Sequence, residues 1–132
     1  MEAHPRDVAC TISRPLAEVA AFAGEPANLP RWAAGLSTGI RNDDGRWIAD
    51  SPMGPVEVRF VGDVGSGVLD HDVVFPDGTV NRNRLRVRVC GSGCEVVFTV
   101  AQHPGMSAAD VDRDAAAVAA DLERLRSVLE QR

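Results

Sequence analysis

Alternating side chains in the middle of the chain constrain the fold more than any other feature of the sequence. From Ser37 to around Gln102, apolar and polar residues follow a period of two, which is typical of β-strands with one buried face. Turn residues interrupt the alternation at Asp43–Gly45, Ser51–Gly54, Gly62–Gly67, Asp77–Gly78 and Ser92–Gly93. Because each interruption is short, the pattern predicts six strands in an antiparallel meander.

Three elements are predicted before the meander. A strand at Asp7–Ser13 is followed by a short helix, which Ser13 caps and Gly24 ends. Pro26 then opens a second short helix, which its interior Pro30 kinks or tightens and which Gly35 ends.

One long helix is predicted after the meander. It begins at Ser107, with Asp110 three residues later, and its apolar residues recur at steps of three and four over about 24 residues. The first half of this helix presents mainly alanine and the second half presents leucine. We therefore expect unfilled volume between the sheet and the alanine half, and a closed core at the leucine half.

The hairpin around Phe75–Thr79 predicts which face of the sheet is inside. Its Pro-Asp-Gly centre fits a three-residue loop with Gly78 in the left-handed conformation. This register places His71 opposite Asn83 on a largely apolar face. A register shifted by one residue would bury several arginines, which is costly.

The next hairpin is predicted to turn at Ser92–Gly93. A two-residue turn there pairs Val89 with Val96 and places Cys90 opposite Glu95 on the outer face. Cys90 and Cys94 then point to opposite sides of the sheet, so a disulfide between them is disfavoured.

Four arginines follow one another on the outer face of the predicted sheet, at Arg82, Arg84, Arg86 and Arg88. Asp72 lies across from Arg82 and Asp70 lies across from Arg84 in the predicted register. A cross-strand charge ladder explains the row without a function, and an interaction surface for an acidic partner is the alternative.

Composition excludes several classes of function. The chain carries 19 acidic and 14 basic residues for a net charge of -5, which argues against nucleic-acid binding. It contains neither lysine nor tyrosine, so a catalytic group would have to be His, Cys, Asp, Glu, Ser or Thr. The three cysteines do not form a disulfide or zinc pattern, and we expect no metal and no cofactor.

Length and hydropathy predict one domain over residues 1–132. No apolar run approaches the roughly 20 residues of a membrane span, so we expect no membrane insertion. Met1–Asp7 is too polar for a signal peptide, and we expect a cytoplasmic location.

The order of these elements resembles the SRPBCC superfamily of START proteins, polyketide cyclases and birch-pollen allergens. The residues that carry the resemblance are Val19–Ala23, Asn28–Trp32, the Gly35–Leu36 exit and Asp121–Leu125. The resemblance implies an α+β helix-grip fold, in which a curved seven-stranded antiparallel sheet with two short helices grips the long carboxy-terminal helix. Members bind lipids, sterols, hormones or polyketides in a cavity between sheet and helix, and some cyclise or dehydrate polyketides.

The leading hypothesis is a binding protein for a small hydrophobic or amphipathic molecule, lipid or polyketide-like. His71 and Asn83 would contact its polar group, and the predicted wall of the cavity consists of Trp32, Trp47, Phe60, Phe75, Leu85 and Phe98. We expect Trp47 to face inward because it lies opposite Val58, although a pairing of Ile40 with Ile48 would turn it outward.

Two alternatives remain open at the level of sequence. One is a polyketide cyclase or dehydratase that uses His71 as general base, with Asn83 orienting the ring. The other is a protein-interaction module that uses the arginine row. The sequence leaves open whether the protein is an enzyme, which ligand it binds and its oligomeric state, a homodimer included. His103 is expected at the surface, with the cavity mouth as the alternative.

Overall fold

The computed structural model describes residues 6–33, 39–51, 54–101 and 105–131. The predictions for Gly35, Leu36 and His103 lie outside these residues. The strands are β1 (Arg6–Ile12), β2 (Ile40–Asp43), β3 (Arg46–Ser51), β4 (Gly54–Phe60), β5 (His71–Val74), β6 (Val80–Cys90) and β7 (Gly93–Val100). The helices are α1 (Leu16–Ala23), α2 (Leu29–Trp32) and α3 (Ala108–Glu130), and single 3₁₀ turns occur at Pro26–Asn28 and Val64–Ser66.

Within the described residues, the seven strands form one curved antiparallel sheet in the order β1-β7-β6-β5-β4-β3-β2. The meander of β2 to β7 therefore runs in sequence order, and β1 closes the far side by pairing with β7. Helix α3 packs against β1, β7 and α2. The predicted α+β helix-grip architecture is confirmed. None of the described helices has the length and apolarity needed to cross a membrane.

The hairpin of β5 and β6 has the predicted register. The amide nitrogen of Phe75 donates to the carbonyl oxygen of Thr79 at 2.8 Å, and Gly78 has a φ of +90°. His71 pairs with Asn83. Glycine is favoured at this point of a three-residue loop because it adopts the left-handed conformation without a Cβ clash. The loop thereby fixes which side chains of β5 face α3.

The hairpin of β6 and β7 differs from the prediction by two residues. Its turn is Gly91-Ser92, so that Val89 pairs with Cys94 and Glu95 lies opposite Arg88 instead of Cys90. Gly91 has a φ of +59°, as the first central residue of a type II′ turn requires. A shift of two residues keeps every side chain on its predicted face, because side chains alternate with a period of two.

Gly93 has a different role from the predicted one. A Cβ atom at this position would lie 2.4 Å from the carbonyl oxygen of Ile12, so the glycine allows β1 to approach β7 closely. Cys94, the next residue, is fully buried, whereas Cys90 is exposed. The described cysteines are free thiols.

The outer face of the sheet carries ion pairs between its arginines and acids. Arg82 donates to Asp72 at 2.7 Å, and Arg88 pairs with Glu95. Asp70 pairs with Arg86 at 2.8 Å rather than with Arg84, and it also accepts from the amide of Leu85. The side chain of Asp70 therefore reaches along the strand to the next outward guanidinium.

The first helix begins later than predicted. Ser13 does not cap it; Pro15 occupies the N-cap position in an extended conformation, and the amide of Ser13 donates to the carboxylate of Glu130. Gly24 is the C-cap, as expected. The buried residues of α1 pack into the same core as α2 and the sheet.

Helix α3 has the predicted cap and the predicted two halves. The hydroxyl of Ser107 accepts from the amide of Asp110, whose carboxylate accepts in return from the amide of Ser107. Toward the other end, Leu122, Leu125 and Leu129 are almost completely buried. The leucines close one end of the space between helix and sheet, and the alanine half lies over the other end.

Candidate ligand-binding cavity

A cavity of about 480 Å³ lies between the concave face of the sheet, α2 and the middle of α3. Apolar side chains form most of its wall, with amide, carboxylate, hydroxyl and imidazole groups among them. The lining residues are Leu29, Trp32, Ala33, Ser51, Val56, His71, Val73, Phe75, Asn81, Asn83, Phe98, Asp114, Val118, Asp121 and Leu122. This volume falls within the range of small-molecule sites in proteins.

The cavity continues toward the surface between α3 and the β5–β6 hairpin. Two further hollows adjoin it, and both share Asn81 and Asp114 with its lining. Ala117 lines one of them. Alanine at this position leaves a gap that a larger side chain would fill, so the composition of the first half of α3 accounts for the open side.

His71 is the histidine of the cavity lining, and it lies on β5. Its residue is only 7% exposed, and its ring lies between the rings of Phe60 and Phe98, with centroid distances of 5.2 Å and 6.3 Å. Nδ1 lies 3.0 Å from the carbonyl oxygen of Leu69. The Leu69 carbonyl, and not Asn83 as predicted, therefore orients the imidazole.

The protonation state of His71 follows from these contacts. Burial lowers the pKa of the imidazole below its usual 6.5, and this effect outweighs the opposing influence of the Leu69 carbonyl, Asp70 and Asp72. Because a carbonyl oxygen only accepts, Nδ1 carries the proton of the neutral ring. Nε2 is then an acceptor, and no described residue forms a hydrogen bond with it.

The remaining polar groups of the lining come from four elements, including β3, whose Ser51 hydroxyl donates to the carbonyl oxygen of Gly54 at 2.6 Å. Asn81 and Asn83 reach the cavity from β6, and both are half-buried. Asp114 and Asp121 reach it from α3, and Asp121 lies 3.4 Å from Arg124. The indole of Trp32 borders the cavity from α2, and its Nε1 is buried without an acceptor among the described residues.

The structure brings together five of the eight predicted wall and anchor residues. Trp32, His71, Phe75, Asn83 and Phe98 surround the cavity. The other three lie on the inner face of the sheet but outside the lining.

Trp47, Phe60 and Leu85 lie beyond the cavity for a common reason. Trp47 pairs with Val58, as expected for an inward side chain, but it borders a separate hollow of about 300 Å³ together with Phe60. Leu85 is completely buried in the core. Strand alternation gives the face of each residue, but its distance from the cavity depends on where the helices cover the sheet.

The sequence predicted unfilled volume beside α3, but no side chain of this helix was among the predicted ligand contacts. Asp114, Val118 and Asp121 follow at steps of four and three, which places them on one side of the helix. This spacing indicates that the three residues share one face of the helix. The apolar periodicity of α3 alone indicates the buried positions beside them instead. The described residues contain no group of three or more His, Cys, Asp or Glu side chains that could hold a metal ion.

The free energy of unfolding should fall as the pH drops below about 6.5, and His71 should cause this. The unfolded chain takes up a proton on the imidazole near that pH, whereas the folded protein does so only at a lower pH. Protons therefore favour unfolding between the two pKa values, by at most about 1.4 kcal/mol per pH unit. Urea denaturation at about pH 7.5 and about pH 5.5 measures the effect.

The variant His71→Phe is the control for this pH dependence. The carboxyl pKa values of Glu57, Asp70 and Asp72 are also lowered, chiefly by hydrogen bonds to arginines, but these groups act below about pH 4.5. The loss of stability between the two pH values should therefore be smaller in the variant. An equal loss in both proteins would contradict the burial of a neutral imidazole.

The sequence matches no protein-family model, and no curated protein is significantly similar to it. Solved structures are similar in fold. Ara h 8.0201, a Bet v 1-like protein, matches with a TM-score of 0.72 and 11% identity over 99% of this chain and 100% of its own. This chain has the SRPBCC fold. The resemblance expected from the sequence is thereby confirmed at the level of fold.

Two further solved structures are similar to this chain in fold. The Aha1 dimer from Colwellia psychrerythraea matches with a TM-score of 0.73 and 12% identity, over 96% of both chains. DynU16, a polyketide-cyclase-like protein of the dynemicin biosynthetic locus, matches with a TM-score of 0.63 and 17% identity. That match covers 96% of this chain and 47% of DynU16. Because one fold can serve many functions, these similarities show the fold of this chain and not its function.

Proposed function

We propose that the protein binds a small hydrophobic or amphipathic molecule, lipid or polyketide-like, in the cavity between the sheet and α3. The observation that carries the proposal is the mostly apolar lining of the 480 Å³ cavity around one buried imidazole whose Nε2 has no partner among the described residues. Residues 1–132 would act as a single domain in the cytoplasm. The Bet v 1-like and polyketide-cyclase-like structures support this proposal through their shared fold.

The driving force for binding would come from the apolar wall. Burial of apolar surface contributes about 25 cal/mol per Å², before the cost of ordering the ligand. Leu29, Val56, Val73 and Phe98 supply such surface from different elements of the fold. Affinity would therefore rise with the apolar area of the ligand until the cavity is full.

Cyclase or dehydratase chemistry is the second candidate, because Nε2 of His71 is a free base that borders the cavity. The lining argues for binding instead. Such reactions develop negative charge on an enolate oxygen, which a nearby cation or a set of fixed donors must stabilise. Among the described residues that line the cavity, none is cationic, and the accessible donors are the neutral amides of Asn81 and Asn83. Asp114 and Asp121 would oppose the developing charge.

The arginine row gives less support to an interaction module. Arg82, Arg86 and Arg88 each pair with an acid of the same face. A charged partner would have to compete with these pairs. Solvated cross-strand pairing accounts for most of the row.

The proposal predicts that 1-decanol binds beside Trp32. The chain has two tryptophans and no tyrosine, so Trp47→Phe leaves Trp32 as the only tryptophan. Because Trp32 lines the cavity, its emission should change saturably as decanol replaces water beside it. Native mass spectrometry should show one decanol per chain.

Trp32→Phe is the matched control, because it leaves only Trp47, outside the cavity lining. Its emission should change much less at the same decanol concentrations. A change confined to Trp47, or no binding of decanol and of a wider panel of neutral lipids in native spectra, would contradict the proposed function.

A further inference from the structure

We infer that the cavity selects an uncharged ligand with a hydroxyl group, an alcohol or a phenol, which donates a hydrogen bond to Nε2 of His71, and that it rejects carboxylate amphiphiles. This inference rests on the proposed function, since it names the ligand class of the same cavity. It depends on two independent features: Nε2 of His71 is fixed as a hydrogen-bond acceptor, and the charged residues of the lining are acidic.

The imidazole is fixed as an acceptor toward the cavity. Nδ1 is committed to the Leu69 carbonyl at 3.0 Å, and Phe60 and Phe98 flank the ring on the inner face of the sheet. Rotating the ring by half a turn would break the bond to Leu69 and leave a buried carbonyl to find another donor. A ligand group that approaches Nε2 must therefore bring a proton of its own, as a hydroxyl does and an ether or an ionised carboxylate does not.

The charge of the lining also disfavours a carboxylate ligand. Asp114 and Asp121 are the charged residues of the lining, and both are acidic. Arg113 lies at the adjoining hollow, but it pairs with Asp110, and Arg124 lies beside Asp121. An anionic ligand would meet carboxylates without a free guanidinium to offset them.

The other polar groups do not reverse this selection. Nε1 of Trp32 is a donor but is buried away from the cavity space, and the hydroxyl of Ser51 donates to the carbonyl oxygen of Gly54. Asn81 and Asn83 each carry an amide, which offers a donor from one side and an acceptor from the other. They serve an alcohol, an ether or a carboxylate equally well. An ammonium group could also donate to Nε2, and Asp114 and Asp121 would attract it. At the buried imidazole, with the rings of Phe60 and Phe98 beside it, the loss of ammonium hydration is costly, so the neutral hydroxyl is the better fit.

Three naphthalenes with the same ring test the inference by isothermal titration calorimetry at about pH 7.5: 2-naphthol, 2-methoxynaphthalene and 2-naphthoate. Naphthol should bind about tenfold more tightly than the methyl ether, which lacks the donor. Naphthoate should bind at least about 100-fold more weakly than naphthol. Equal affinity for naphthol and its ether, or tighter binding of naphthoate, would overturn the inference while leaving the cavity as a binding site.

Two variants separate the two features. His71→Phe should remove the preference for naphthol over its ether, and Asp114→Asn should strengthen naphthoate binding relative to naphthol. Asp112→Asn makes the same change of charge on α3 outside the cavity lining and should leave the ratio unchanged. If none of the three naphthalenes binds to the wild-type protein, the inference fails together with the proposed function for aromatic ligands.

Discussion

Val118→Trp should abolish the binding of 2-naphthol without unfolding the protein. Val118 lies on the alanine-rich half of α3 and borders both the cavity and one of the hollows beside it. An indole at this position would enter space that is otherwise available to the ligand, and it would meet little of the strain that overpacking causes in a filled core. We expect an affinity loss of at least about 100-fold, or about 2.7 kcal/mol.

Ala119→Trp is the matched control for this substitution. Ala119 is an exposed neighbour on the same helix, so an indole there should leave the dissociation constant of naphthol unchanged. Circular dichroism of both variants checks that the fold is intact. Unchanged affinity in folded Val118→Trp would show that naphthol binds elsewhere on the protein.

Leu125→Ala should destabilise the fold by about 2–5 kcal/mol, the usual cost of truncating a fully buried leucine. Leu125 is 0% exposed and lies where α3 closes the core. The truncation removes apolar contacts and leaves a void that the surrounding side chains cannot fill. Urea denaturation gives the change in the free energy of unfolding.

Val118→Ala is the matched comparison for Leu125→Ala, because both residues lie on α3. Val118→Ala, at the half-buried position beside the cavity, should cost only about 1 kcal/mol or less, because it enlarges a space that is already open. Similar losses for the two truncations would contradict the division of α3 into an open half and a closed half.

Local chemistry was sufficient to predict the element order and the inner face of the sheet. Only one turn type suits the Pro-Asp-Gly loop before Thr79, and a shift by one residue would bury arginines. The structure agrees with this register, in which His71 faces inward beside Phe98. The long helix was equally predictable, because Ser107 and Asp110 form a capping box before a regular apolar stripe.

Local chemistry was not sufficient for the hairpin of β6 and β7. Gly91 and Gly93 are both suitable turn residues, and the predicted register, with its turn at Ser92–Gly93, differs by two positions from the observed one, with its turn at Gly91-Ser92. What separates them is the approach of Ile12 from β1, about 80 residues away in the chain, which leaves no room for a Cβ at Gly93. A contact between residues so far apart in the chain cannot be recognised from the sequence around Gly93 alone.

Most errors in the predicted site also arise from contacts between residues that are distant in the chain. Alternation identified inward side chains, but it could not show that the space around Leu85 is filled by the core whereas the space around Phe98 is open. The cyclase alternative gave Asn83 the role of orienting His71, whereas the Leu69 carbonyl does so. The position of that backbone oxygen depends on the path of the chain into β5 and not on any side chain.

Nitrogen NMR of the histidine side chains tests the central claim most directly. In protein labelled with ¹⁵N histidine, the signals absent from His71→Phe identify the imidazole of His71. We predict a neutral ring with the proton on Nδ1 at about pH 7.5, and a change of the Nε2 resonance when 2-naphthol is added. A proton on Nε2, or an Nε2 resonance that stays the same at saturating naphthol, would contradict a ligand held against this imidazole.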